Sequence, residues 1–209
     1  MYHGGMPPDA TETKRRLKKA AVEEFARHGL AGARVDRIAE NAAANKRSIY
    51  MHFGTKEELF DMVVADSMVE LAQAVSIDAS DLAEYAGELF DQLEQRPHVR
   101  RLYLWAGLER QQPVDAEVAE YRRNIAAIEA AQAAGRVRTD IPATELMAMT
   151  VALVMSWETA SWSLKALQTQ TGPASFAPRR RDAIAAAVTA LVHPPRTRSW
   201  TPSSTSNSR

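Results

Sequence analysis

Between residues 46 and 52 the chain reads Lys-Arg-Ser-Ile-Tyr-Met-His. Two cations, a hydroxyl, a phenol and an imidazole fall within seven residues, a concentration seldom met on the surface of an ordinary helix. Ile49 and, four residues on, Phe53 supply one apolar side. A helix here therefore turns Lys46, Arg47, Ser48, Tyr50, Met51 and His52 outward. Each of these groups suits a nucleic acid. Cations and hydroxyls bind phosphate oxygens, Arg or Lys reads guanine edges, and a tyrosine can reach a phosphate while its ring touches a thymine methyl.

Other chemistry is poorly served. The absence of cysteine excludes disulfides, thiolate metal sites and cysteine nucleophiles. Five histidines are scattered without a His-x3-His pair, and neither GxGxxG nor GxxxxGKS/T occurs. No nucleophile–base pair or matched carboxylates emerge, so no enzyme activity, metal or cofactor is expected. No apolar run approaches the ~20 residues of a membrane span and the N-terminus lacks a signal-peptide core, which predicts a soluble, cytoplasmic protein with no membrane contact. The formal net charge is zero but unevenly placed. Residues 1–56 carry eleven Lys/Arg against six Asp/Glu, and residues 57–209 carry fifteen against twenty. A basic quarter attached to an acidic remainder points to a polyanion met by the N-terminal part alone.

The elements that must hold residues 46–52 follow from periodicity. Leu17, Ala21 and Phe25 recur at i, i+4, i+8, Asp9-x-x-Glu12 has the form of a capping box, and Gly29 is a helix stop, giving a first helix over 10–28. Val35, Ile38, Ala39 and Ala42 space a short second helix. Asn45 is a good N-cap for the third, over 46–52, which Gly54 closes. Thr55 caps a fourth, with Glu57 and Glu58 in its first turn, running to about 76. Helical patterns then cover 82–93, 99–108, 115–134, a long and strongly apolar 143–168, and 179–192. The Arg179-Arg180-Arg181 run reads as a solvated helix start. The expected fold class is all-α, with about nine helices. Its parts are a flexible 1–9, a three-helix head over 10–56, a helical bundle over 57–193 and a disordered tail over 194–209, too poor in apolar residues to form a core.

Two short helices joined by a tight turn make a helix-turn-helix, and the Ala42-Ala43-Ala44 run lets their axes approach closely. Three stretches carry a resemblance: Leu17…Ala21…Phe25…Gly29, then Val35-x-x-Ile38-Ala39, then Ser48-Ile49-Tyr50-x-His52-Phe53-x-x-Lys56-Glu57-x-Leu59. Together they resemble the N-terminal DNA-binding domain of the tetracycline-repressor (TetR) family of bacterial transcription regulators, over about a quarter of the chain. That family often has Gly-Val where this chain has Ala43-Ala44: either the turn is strained, an alanine held left-handed costing on the order of 1 kcal/mol, or it follows a different backbone path. The resemblance implies that Arg34, Asn45, Lys46, Arg47, Ser48, Tyr50, Met51, His52 and Lys56 form the DNA-binding surface. Arg34 and Lys56 would grip phosphates, Arg47 and Ser48 read bases, and Tyr50 and His52 reach phosphates. For His52, packing over the turn is the other reading.

One recognition helix buries too little surface to select a genomic site, so a homodimer on palindromic, double-stranded operator DNA is expected. The two C-terminal apolar helices are the expected seam, with Leu146, Leu153, Trp157, Ile184, Val188 and Leu191 at the dimer interface. The resemblance also implies a small-molecule effector, a lipophilic one, held in the helical body. Tyr103, Trp105, Met149, Met155, Trp157, Glu158 and Trp162 are its candidate pocket, with plain core packing as the simpler account of each. Glu158, in a very apolar stretch, needs a partner: Lys165, an arginine across the dimer interface, or a cationic or hydroxylated ligand. Repression is the family's usual mode. The alternative is an all-α interaction or scaffold protein whose helix-turn-helix no longer binds DNA.

Overall fold

The computed structural model describes residues 10–75, 81–110, 112–113, 115–167 and 176–193. The expected flexible start (1–9, with the Asp9 cap) and disordered tail (194–209) lie outside the described residues. Within them the chain forms eleven helices and no strand. The head comprises α1 (Ala10–Gly32), α2 (Val35–Asn41) and α3 (Lys46–Phe53), and α4 (Lys56–Ala74) leads out of it. The body adds α5 (Leu82–Gln95), α6 (Pro97–Glu109), α7 (Asp115–Ala133), α8 (Ala143–Val154), α9 (Ser156–Thr159), α10 (Trp162–Leu167) and α11 (Phe176–Val192).

The expected stripes are the ones that become buried. Leu17, Ala21 and Phe25 of α1, Ile38 of α2 and Ile49 of α3 join Leu59 and Phe60 of α4 in the core of the head. The Phe25 and Phe60 rings meet edge to face at 5.1 Å between centroids, the arrangement aromatic quadrupoles favour. In the body α11 packs against α5 and α8, and α6 lies along α1. Leu102, Ile128, Leu146 and Val188 are fully buried there.

One element differs from expectation. The helix expected over 143–168 is three pieces, and this accounts for eleven helices in place of about nine. The stretch Ser156…Thr159…Ser161 explains the breaks. Thr159 Oγ1 donates back to the carbonyls of Met155 and Ser156, and Ser161 Oγ accepts from the amide of Leu164 to cap the last piece. Such hydroxyls offer the backbone partners that compete with a continuous helix. At Gly29 the expected stop is present, with φ at 67° and ψ at −174°, and one further helical turn follows this kink to Gly32. A Cβ at Gly29 would also meet the Trp105 ring at 2.8 Å, so the position excludes a side chain on both backbone and packing grounds. Of the expected solvated arginines of α11, Arg179 is exposed and the other two are engaged. Arg181 pairs with Asp91 (2.8 Å) and Glu84 (2.7 Å) of α5, and Arg180 stacks over the Trp157 ring at 4.5 Å.

Candidate functional site

The turn between α2 and α3 sets the orientation of residues 46–52. The amide of Ala44 donates to the carbonyl of Ala39 and that of Ala43 to Glu40, each at 2.9 Å, the paired bonds of a Schellman helix end. This closure puts Ala43 in the left-handed region, with φ at 48°, the only non-glycine with positive φ among the described residues. The strain expected at Ala43-Ala44 is therefore located at Ala43. Asn45 then starts α3, its side chain accepting from the Arg47 amide at 2.8 Å. Gly54 ends the helix, and Thr55 and Glu58 form a reciprocal capping box that begins α4.

With α3 fixed at both ends, Ile49 is fully buried and Phe53 nearly so. Lys46 and Arg47 are exposed, Tyr50 is 50% and Met51 73% exposed, and Ser48 and His52 are partly covered. The His52 ring lies edge-on to Phe53 at 6.0 Å, so the packing reading of this residue has a geometric basis. Not all the cations are equal. Lys46 is held by Asp36 of α2 at 2.8 Å, and the Lys56 ammonium lies 3.4 Å from the carbonyl of Ala33. Arg47 has no ion-pair partner among the described residues. Arg34 is exposed at the cap position before α2. These groups lie around one edge of the head, on the α2 and α3 termini and the start of α4.

A buried carboxylate that the sequence reading overlooked holds this edge together. Glu24 of α1 is 5% exposed, and it accepts from the Arg34 amide (2.8 Å) and the Arg37 guanidinium (2.6 Å). Burial works against its charge, but the Arg37 and Arg34 donors outweigh it and hold the carboxyl below the ordinary value. Glu24 thus docks the first turn of α2, and so the approach of Arg34, onto α1. No periodic signal marks it, because its partners lie ten and thirteen residues away.

The head meets the body through one face of α6. Arg101 Nε donates to the carbonyl of Ala26 at 2.8 Å, capping the end of α1 before the kink. Two turns later the Glu109 carboxylate accepts from the amides of Leu30 (2.5 Å) and Ala31 (3.1 Å), just after the kink. Trp105 lies between them, over Gly29. Next along, Arg110 reaches Asp61 of α4 (3.2 Å) and Glu117 of α7 (2.9 Å).

Behind α6 lies a small, half-open cavity of about 70 Å³, among α4, α5, α6, α7 and α8. Met68, Leu89, Met147 and Met155 give it apolar walls, and Tyr85, Tyr103, Tyr121, Glu117, Glu120 and Asn124 give it polar ones. An open groove of about 880 Å³ adjoins it, sharing Tyr103, Glu117 and Tyr121. Of the expected pocket residues only Tyr103 and Met155 line the cavity. Trp105 is taken up by the α1 junction, Trp157 by Arg180, Met149 faces outward and Trp162 is 84% exposed on α10. Of these four, Trp157 and Trp162 follow the break at Met155, which turns them away from the body's interior. Glu158 lines the open groove and finds its structural partner in Arg100 of α6, at 3.2 Å, while Lys165 donates only to its backbone carbonyl.

The expected dimer residues also divide. Leu146, Ile184 and Val188 are buried within the protomer, so the apolar stripe read as a seam between chains is the packing of α8 and α11 inside one chain. Leu153, Trp157 and Leu191 are partly exposed. The surfaces left open on these helices carry Ala148, Met149 and Ala152 on α8, and Ala183, Ala186, Ala187 and Ala190 on α11.

A basic helix-turn-helix head, clamped onto an all-helical body with a half-open cavity, defines a class: a DNA-binding regulator with a separate helical body. Residues 17–63 match the model of the bacterial regulatory proteins of the tetR family, and residues 81–189 the tetracyclin repressor-like C-terminal domain. The chain is 42% identical over 149 residues to SCO4008, an HTH-type transcriptional repressor of Streptomyces coelicolor, covering 69% of this chain and 78% of that protein. It is 29% identical over 160 residues to NicS, an HTH-type transcriptional repressor of Pseudomonas putida, covering 69% and 74%. The crystal structure of SCO4942 from Streptomyces coelicolor is similar with a TM-score of 0.76 and 34% identity, covering 86% of this chain and 98% of that one. The protein belongs to the TetR family of transcriptional regulators.

Proposed function

We propose that the chain is a repressor. It binds palindromic operator DNA as a homodimer in the cytoplasm, with α3 of each protomer in the major groove, and releases it when a lipophilic small molecule occupies the body. The observation that carries this reading is the outward face of α3. Arg47, Tyr50 and Met51 stand in solvent while Ile49 anchors the helix beneath them. An interaction protein that had lost DNA binding would have no use for that set beside Arg34 and Lys56. Arg47 is the free cation best placed for base edges, and Tyr50 for a phosphate or a thymine methyl.

The alanine-lined faces of α8 and α11 offer the close approach that a two-fold pairing of helices needs, and Met149 adds an apolar contact at their centre. Between these helices a groove lined by Leu153, Trp157 and Ala187 could take side chains from a second copy. An effector weakens operator binding only by as much as it prefers the DNA-free conformation. Here the route is short, since the cavity wall Tyr103 sits on α6, the helix that carries Arg101, Trp105 and Glu109.

The test is fluorescence anisotropy with fragments of the DNA flanking the gene. Tight binding to an inverted repeat, falling steeply with salt, supports the reading. Equal, weak binding to all fragments, or a strictly monomeric protein, overturns it.

A further inference from the structure

Met51 of α3 is 73% exposed, more than any other methionine among the described residues. Met68, Met147 and Met155 are buried, and Met62 packs half-buried against the core. Met149 lies on the α8 face that a second copy would cover, and Met1 and Met6 fall outside the described residues. The chain has no cysteine, so no thiolate of its own intercepts an oxidant before a thioether does. Resting on the reading of α3 as the DNA-facing helix, we propose that Met51 is a reversible oxidation site, through which a hypohalous acid shuts off operator binding.

The step is a two-electron oxidation. The sulfur lone pair attacks the chlorine of hypochlorous acid, and water then displaces chloride from sulfur. The net products are a sulfoxide, chloride and a proton, with sulfur oxidised and chlorine reduced. A polar, chiral group now stands where an apolar one packed, and it no longer suits a thymine methyl. The larger effect falls on Arg47. Positions i and i+4 of a helix share a face, and long side chains lean back toward the preceding turn, which sets Met51 beside Arg47. Arg47 is exposed and has no ion-pair partner among the described residues, so the new sulfoxide oxygen offers its guanidinium an acceptor within its own chain. A guanidinium held there is withdrawn from base edges and phosphates. Ile49 and Phe53, which anchor α3 from beneath, are buried and untouched, so the fold persists. Bound DNA would cover this face, which makes the free protein the reactive form. Dithiol-dependent methionine sulfoxide reductases return the thioether.

The experiment treats the full chain with an equimolar amount of hypochlorous acid and quenches with free methionine. Peptide mass spectrometry locates the sulfoxide, and anisotropy reads operator affinity. Met51 should carry most of the sulfoxide, and affinity should fall at least tenfold with an unchanged circular-dichroism melt. The two epimer-specific sulfoxide reductases, supplied with dithiothreitol, should restore it. Met51→Leu, compared with its own untreated state, should lose less than twofold. In Arg47→Ala the loss on oxidation should be at least threefold smaller than in the wild type. Sulfoxide at Met51 with affinity unchanged, little sulfoxide at Met51, or an equal loss in Met51→Leu each overturns the proposal. A full loss in Arg47→Ala overturns the part assigned to Arg47. Failure of the regulator reading is separate, since it would show as absent operator binding in the untreated protein and would take this inference with it.

Discussion

The carboxylate of Glu109 holds the amide of Leu30 at 2.5 Å across 79 residues of chain, and the same carboxylate takes the next amide, Ala31. With Arg101 on the carbonyls before the kink, α6 grips both unsatisfied ends of α1 where Gly29 breaks it. Hydrogen bonds to charged groups are worth about 1.5–3 kcal/mol apiece, and those at a partly exposed helix end fall at the low end. Glu109→Ala should therefore speed hydrogen exchange at Leu30 and Ala31 by about tenfold, leaving the buried α1 turn around Phe25 unchanged. Unaltered exchange at Leu30 would mean that the clamp carries no load.

Ala43 should give the opposite sign. With φ at 48° it occupies a backbone region that glycine enters freely. Relief of that strain outweighs the extra unfolded-state freedom of glycine, and Ala43→Gly should stabilise the protein by up to about 1 kcal/mol. The urea midpoint should rise at an unchanged slope. A fall in midpoint would place the strain elsewhere.

The cations around the helix-turn-helix should separate into two behaviours on DNA. On the proposed reading of Arg47 as a base contact, Arg47→Ala should lower affinity for the preferred site by about 1–3 kcal/mol while leaving other sequences little affected. Lys56→Ala should weaken all sequences alike and flatten the dependence on salt by about one unit of slope. Anisotropy titrations at several salt concentrations distinguish them. A uniform loss from Arg47→Ala would make it a phosphate contact.

Glu24 predicts a pH dependence. Its carboxyl is held below the ordinary glutamate value in the folded state, so the unfolded chain binds its proton first as pH falls. The stabilisation is complete above the ordinary glutamate pKa of about 4.3 and is lost as pH drops through the lowered folded value. Glu24→Ala should destabilise the head by roughly 2–3 kcal/mol at pH 7. The deficit should shrink toward pH 3, measured by chemical denaturation. A deficit that does not vary with pH would assign the loss to packing alone.

What the sequence made legible is what local spacing encodes. Asn45, Thr55 and Gly54 bound their helices because caps act within a few residues, and Ile49 and Phe53 face inward because one helical turn separates them. Interactions between distant segments were not legible. In the sequence Glu24 is one charge among several on α1, and Glu109 and Leu30 have no shared pattern. The cavity draws on five helices, so Tyr85, Tyr121 and Glu117 could not be grouped from spacing. The 143–168 misreading had a different origin: strong apolar content masked the hydroxyl residues that break it. The same apolar content made Leu146, Ile184 and Val188 look like a surface for another chain when they fill their own.

The pair between Lys46 and Asp36 gives the reading head a built-in rival for phosphate. A lysine with nothing to hold would gain from any stretch of nucleic acid that drifted by. This one must first surrender its aspartate, and the aspartate is then left facing a polyanion. Random encounters thus yield less than they would for an idle cation, while a site that also satisfies Arg47 and Tyr50 can carry the exchange. On the proposed reading, the head is thereby suited to quick departure from wrong sequences as much as to tight hold on the right one.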